Sequence, residues 1–296
     1  VYKEATKMVD SNVRENANKI AAEFYTDMGL CRALASSISS QQNFHTEAKW
    51  EEYIAQLAEI DKNSKGYLNV WASYELKDFR KGYSLNHGRR VLNVYTSAGE
   101  QHVKDYFKNL EGDDIGSAYL KIKNSKKEAI IEPYLFSLSG SQTDEQLVTS
   151  ICVPILNKNK YIGLAGVDIG LERYQKLTEE IKPYEESYAF LVAYDGRIIT
   201  HPNKSLINKT VAEVFHLMDS TEHIVEKIQL GSSFSFSNED GTSNYFSFAP
   251  IEIGNSETPW ALATVTPENQ IFSKARNILS QTLFLGAIGM FILALV

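Results

Sequence analysis

The first forty residues constrain this chain most. From Val1 to Ser40 there is no proline, and the only glycine is Gly29. Apolar residues fall at Val9, Val13, Ala17, Ile20, Phe24, Met28, Cys31, Leu34 and Ile38, in steps of three and four. That spacing predicts one long amphipathic helix, about 60 Å from end to end at roughly 1.5 Å per residue. Its early part is heavily charged on the opposite face, as a solvated surface requires. A second helix is expected from Thr46 to Ala58, with Trp50, Tyr53, Ile54 and Leu57 on one face. The turn-forming run Asp61–Gly66 ends it.

Strand chemistry follows. Tyr67–Tyr74 and Arg90–Tyr95 are rich in β-branched and aromatic residues, and the second stops at Ser97-Ala-Gly99. Gly116–Lys126 reads as a short helix. Three strands are expected next, at Ala129–Ser137, Gln146–Leu156 and Lys160–Ile169, and then a helix at Glu172–Ile181 closed by Pro183. The plan then recurs. Tyr188–Tyr194 runs into the tight-turn pair Asp195-Gly196 and on to Arg197–His201. A helical stretch over Thr210–Leu230 precedes strands at Gly231–Ser237, Tyr245–Pro250 and Trp260–Thr266. Tyr95/Gly99 with Tyr194/Gly196, Val153-Pro154-Ile155 with Ala249-Pro250-Ile251, and Asp168 with Pro267 lie at offsets of roughly 96 to 99 residues. Two related α+β modules after one long helix account for the pattern.

The run Leu279–Val296 holds no charged residue, and its only polar side chains are Ser280, Gln281 and Thr282. Apolar residues occupy every face, unlike a surface helix with its polar stripe. A membrane span needs about 20 such residues, so the run is expected to be the start of a transmembrane helix. No signal peptide is visible, and an upstream transmembrane helix would account for export. Over the whole chain, 43% hydrophobic and 23% charged residues describe a folded globular protein. The net charge of −7, with bases scattered among acids, offers no stripe for phosphates, so nucleic acid is not an expected partner. Cys31 and Cys152 form no Cys-x-x-Cys pair, which disfavours a zinc site and leaves a disulfide or two buried thiols open. Glu111, Asp113 and Asp114 lack the alternating spacing of a calcium loop. The six histidines make no metal-binding pattern, and no Gly-x-Ser-x-Gly elbow or phosphate loop occurs. No metal, cofactor or enzymatic activity is therefore expected.

In order and spacing, the long helix, Tyr161–Ile169, Ala193–Pro202, Phe248–Ile251, Trp260–Pro267 and the apolar tail resemble the double Cache (dCache) extracellular sensor domains of bacterial methyl-accepting chemotaxis receptors and sensor kinases. The resemblance implies an α+β fold of two PAS-like modules with antiparallel sheets, stacked along the long N-terminal helix. It divides the chain into a helical stalk (1–60), a membrane-distal module (61–181), a membrane-proximal module (182–267), a connecting helix (268–280) and the start of a transmembrane helix (281–296). It also implies a homodimer in the inner (plasma) membrane, with this domain in the periplasm or extracellular space. A small molecule would bind the distal module, and displaced helices would carry the signal inward. A histidine-kinase or cyclase output is the alternative, as is a module that binds a partner protein and no small ligand.

Amino-acid-binding members carry an Arg-x-Trp-Tyr cluster, then Tyr-x-Asp, then a strand-terminal Asp. Here Tyr119, Tyr134 and Asp168 match. Gly116 stands at the Arg, Ala118 at the Trp and Phe136 at the first Asp. The carboxylate clamp is thus missing, which points to an amine or other small polar ligand, unless Arg89 or Arg90 supplies the positive charge. Trp71 and Tyr95 complete the candidate site, although packing between helix and sheet is the favoured reading of Trp71, Tyr74 and Tyr95. Capping of a loop, or of the helix that follows, is the competing reading of Asp168.

Overall fold

A computed structural model describes residues 2–40, 47–64, 66–137, 145–238, 243–273, 280–285 and 288. The three-and-four spacing becomes a single helix, α1 (Tyr2–Ser39), and every stripe position from Val9 to Ile38 is buried. The chain forms two compact units. The first comprises Ala21–Arg173 with Glu252–Thr258; the second comprises Val1–Ile20, Tyr174–Ile251 and Pro259–Val296.

In the first unit, α2 (Glu47–Asn63) leads into β1 (Tyr67–Glu75), α3 (Leu76–Phe79), β2 (Arg89–Ser97) and β3 (Glu100–Lys108). Next come α4 (Ala118–Ser125), β4 (Ala129–Ile130), β5 (Tyr134–Phe136), β6 (Gln146–Asn157) and β7 (Lys160–Gly170). The strands form an antiparallel sheet in the order β3-β2-β1-β7-β6-β4, with β5 also paired to β6. Strand β3 has no counterpart in the sequence reading. It is a sheet edge exposed along its whole length, so no buried alternation marks it. The single strand expected at Ala129–Ser137 divides around Pro133, which has no amide hydrogen to give the ladder. One sheet face packs on α1 and α2: Trp50 meets Tyr74 edge-on at 5.2 Å, and the Cys31 thiol lies 3.6 Å from the Ile151 carbonyl. The other face carries Cys152 and Leu164 against Tyr119 and Ile122 of α4. Both cysteines are free thiols buried in this interior, so the disulfide alternative falls away.

Around the second unit's sheet lie α5 (Arg173–Glu179), β8 (Tyr188–Val192), β9 (Ile198–Thr200), α6 (Val211–Val214), α7 (His216–Glu222), α8 (Ile224–Gln229), β10 (Phe234–Asn238), β11 (Asn244–Ile251) and β12 (Trp260–Pro267). Its order is β10-β11-β12-β8-β9. The helical stretch expected over Thr210–Leu230 is three short helices. Thr210 and Glu213 cap α6 reciprocally, and His223 at φ 52° breaks α7 from α8.

Reading both sheets from the same edge, β2-β1-β7-β6-β5 and β9-β8-β12-β11-β10 have one strand order. Two of the three sequence landmarks sit on equivalent strands, β6 with β11 and β7 with β12. The third does not: Gly99 lies in the β2–β3 turn, whereas Gly196 lies in the β8–β9 turn, equivalent to the β1–β2 connection. Residues 268–273 and 280–285 are helical. Most of the apolar run expected to enter the membrane lies outside the described residues. Among the described residues no helix is long and apolar enough to cross a membrane.

Candidate functional site

Alternation along four strands brings a set of polar side chains to the face under α4. From β1 come Asn69 and Trp71, and from β2 Arg89, Val91 and Asn93. From β6 come Ser150 and Cys152, and from β7 Leu164 and Asp168. Between them, α4 and β5 enclose a cavity of about 290 Å³. The start of α4 is set locally: Gly116 takes φ 81°, and the Ser117 hydroxyl accepts the Leu120 amide at 3.2 Å. This places Ala118, Tyr119 and Ile122 along the cavity wall.

Asp168 is the most buried charged group lining the cavity, 5% exposed. Its Oδ1 accepts from the Trp71 indole at 2.8 Å and the Ser150 hydroxyl at 2.7 Å, and its Oδ2 accepts from the Asn69 amide at 2.9 Å. All three donors are neutral, and Asp168 forms no ion pair among the described residues. Burial outweighs these hydrogen bonds and pushes its carboxyl above the usual carboxylate range. Tyr134 continues the chain, its hydroxyl 2.9 Å from Ser150 Oγ. The Asn69 amide also reaches Asn93 Oδ1 at 3.1 Å, while Asn69 Oδ1 is buried without a partner. Gly166 makes room for the indole: a Cβ there would lie 2.6 Å from the Trp71 ring and 2.7 Å from the Ile151 carbonyl.

At the other end, the Arg89 guanidinium lies 3.5 Å over the Tyr119 ring, and its buried Nε has no hydrogen-bond partner. The Tyr119 hydroxyl donates to Glu75, whose charge is met by Lys123 at 2.9 Å. Lys123 also binds Asp113 at 2.8 Å, so this acid belongs to an ion-paired loop. Arg90 points away from the cavity and is engaged by Asp105 and the Trp50 ring. Of the two arginines left open by the sequence, the one on the cavity wall is Arg89.

Four of the five predicted site residues, Trp71, Tyr119, Tyr134 and Asp168, therefore line one cavity. Tyr95 is on the same face of β2, one alternation beyond Asn93, where it stacks on His102 at 5.3 Å. Asn69, Ser150 and Gly166 escaped the sequence reading. The i, i+2 pair Asn69/Trp71 was a signal, but Ser150 becomes visible only through its pairing with Asp168. Among the described residues, no group of three His, Cys, Asp or Glu is arranged to hold a metal ion.

The Cache domain family profile matches residues 1–275. The methyl-accepting chemotaxis protein PscA of Pseudomonas syringae pv. tomato is 27% identical over 155 residues, 52% of this chain and 22% of that protein. The matched segment is thus about a fifth of the length of such relatives. Among solved structures, the extracellular domain of mmHK1S-Z3, assigned as a histidine kinase, superposes with a TM-score of 0.74 at 20% identity, covering 93% of this chain and 98% of that one. The ligand-binding domain of the Pseudomonas aeruginosa amino acid chemoreceptor PctC, solved with GABA, gives 0.57 at 22% identity, covering 86% and 95%. At these identities the likeness speaks to the fold.

Proposed function

Because the chain belongs to the Cache domain family, we propose that it is the ligand-sensing part of a transmembrane chemoreceptor and binds a small molecule in the cavity around Asp168. The observation that carries this reading is the state of Asp168. A carboxylate buried among neutral donors is costly unless a cation joins it, and the open cavity beside it admits one. An ammonium-bearing ligand meets that need. The chemotaxis-protein relatives and the amino acid receptor solved with GABA support the same reading. So does the absence of any catalytic constellation in the sequence.

The route outward begins on the strands that hold Asp168. Tyr67 at the start of β1 donates to Asp27 of α1 at 2.7 Å, and Arg173 just after β7 binds the same carboxylate at 2.8 Å. A ligand that shifts β1 against β7 would move this clamp and displace α1 with it. Shifts of about 1–2 Å are enough where a helix interface has two discrete packings. In the whole receptor this domain would lie outside the plasma membrane in a homodimer, with the cavity in its membrane-distal module. The output would be methyl-accepting, or alternatively a kinase or cyclase.

The test is a thermal-shift screen of amines, amino acids, carboxylates, purines and sugars, followed by calorimetry on the best class. Asp168→Ala and Tyr134→Ala should each weaken the hit by about tenfold or more. If ligands bind and both variants bind equally well, the site is elsewhere. If nothing binds across the panel, the chain is a module that recruits a partner protein.

A further inference from the structure

One titratable ring is enclosed in the second unit, away from the cavity. His201 directly follows β9 and is 6% exposed. Its imidazole lies edge-on to Tyr188 at 5.3 Å and 5.4 Å from Phe190, both on β8. Nδ1 accepts the Asn203 amide at 2.9 Å, so the proton of the neutral ring sits on Nε2. Among the described residues Nε2 is buried without a partner. The backbone of His201 is tied twice to α5. Its amide donates to Gln175 Oε1 at 3.2 Å, and its carbonyl accepts from Gln175 Nε2 at 3.1 Å. Gln175 is itself buried.

A second proton has no place in this arrangement. On Nδ1 it would face the Asn203 N–H, donor against donor, and the new charge would be enclosed by neutral groups. Those groups are Tyr188 and Phe190 from β8, Gln175 from α5 and Asn203 from the following turn. Burial pushes the Tyr188 hydroxyl upward, so it keeps its proton. The charged groups of this network are Glu179, which accepts from Gln175 Nε2 at 2.9 Å, and Lys204, in the turn that Asn203 caps. Neither pairs with the ring. Burial pushes the imidazole below its usual value.

We propose that the second unit carries a proton-responsive latch, in which acid expels the His201 ring from its aromatic cage and frees α5. Opening takes the ring into water, gives up the Asn203 hydrogen bond and unseats the two bonds to Gln175. Closure is fully favoured above the unfolded pKa and is lost as pH falls toward the folded one. In the chain α5 follows directly on β7, the strand of Asp168. Acid would thus act on the segment that joins the two units, as an input separate from the cavity and needing no ligand.

The experiment is hydrogen exchange on the ligand-free full chain in detergent, read on peptides covering α5 and β9. After correction for intrinsic exchange, opening of α5 should rise by up to about tenfold per pH unit below about pH 6.5, the ordinary histidine value. His201→Asn keeps an acceptor in place of Nδ1 and cannot titrate, so its α5 opening should not respond to acid. NMR of the unaltered chain with labelled histidine gives a second reading that needs no variant. His201 should carry its neutral-form proton on Nε2 and titrate below about 6.5. A wild-type α5 that ignores acid, a neutral-form proton on Nδ1, titration at or above the ordinary value, or an equal acid response in His201→Asn each overturns the latch. All four outcomes leave the proposed ligand site intact, and His201→Asn should bind pentylamine as the wild type does.

Discussion

The two sheets share a strand order and use the same face in opposite ways. In the first unit that face is polar and partly empty. In the second, Phe190, Phe246 and Phe248 are buried with Ile224 and Ile228, and Phe215, Phe234 and Phe236 pack against them. Phe234 and Phe248 stack at 4.5 Å, Phe236 and Phe246 at 5.1 Å. Carried across at the offset of the Val153-Pro154-Ile155 landmark, roughly 96 residues, Ser150 and Cys152 fall on Phe246 and Phe248. Ser150 pairs with Asp168, while Phe246 pairs with Val265. An aromatic and a β-branched residue thus stand where the first unit has a hydroxyl and a carboxylate. One scaffold has been closed by side-chain volume, the other kept open by polarity. Recognition is therefore expected in the first unit alone.

The largest effect that can break this contrast is on the filled side. Phe248 is buried between three other aromatic rings. Phe248→Ala should cost about 3–5 kcal/mol of stability in urea denaturation, because its neighbours cannot collapse onto the space. Binding of an ammonium probe to the first unit should stay within about twofold, as expected for sites without shared partners. Lost binding with the first unit still folded would show that the second contributes to recognition.

A middle-sized effect belongs to the open side and follows from proton linkage. Burial raises the Asp168 carboxyl above its unfolded value. In the ligand-free chain, its contribution to stability is then fully present below the unfolded pKa. That contribution is lost as pH rises through the folded pKa. Binding runs the other way, because an ammonium needs the carboxylate. Affinity for pentylamine should fall by up to about tenfold, or about 1.4 kcal/mol, per pH unit once pH drops below the raised value. Tyr134 and Cys152 nearby are pushed upward by burial and keep their protons throughout. An affinity that stays flat as pH is lowered over the whole range in which the chain remains folded would remove Asp168 from the ammonium site.

Much of this was legible in the chain because it depends on local pattern. The stripe from Val9 to Ile38 specified α1, and β-branched and aromatic runs specified most strands. Tyr119, Tyr134 and Asp168 were found through a family resemblance and Trp71 as a candidate lining residue, and all four meet in one cavity. What stayed hidden depends on pairing. Strand β3 has no buried face to advertise it. Ser150 looks like any strand serine until β6 is set against β7. Arg89 and Arg90 are adjacent and chemically identical. Only the side of β2 on which each falls sends one to the cavity and the other to Asp105.

The smallest effect marks where the open region ends. Tyr95 shares its strand face with Arg89, Val91 and Asn93, yet it lies one alternation past the last lining residue. Its ring is held by His102, and Lys104 lies 5.2 Å from its centroid. Tyr95→Phe keeps the ring and removes only the hydroxyl. Stability should change by less than about 0.5 kcal/mol, and affinity for an ammonium probe such as pentylamine should not change. A severalfold loss of affinity would mean that the bound ligand extends beyond Asn93. The polar, open stretch of the first sheet would then run one residue pair further before aromatic packing closes it, as such packing closes the whole of the second.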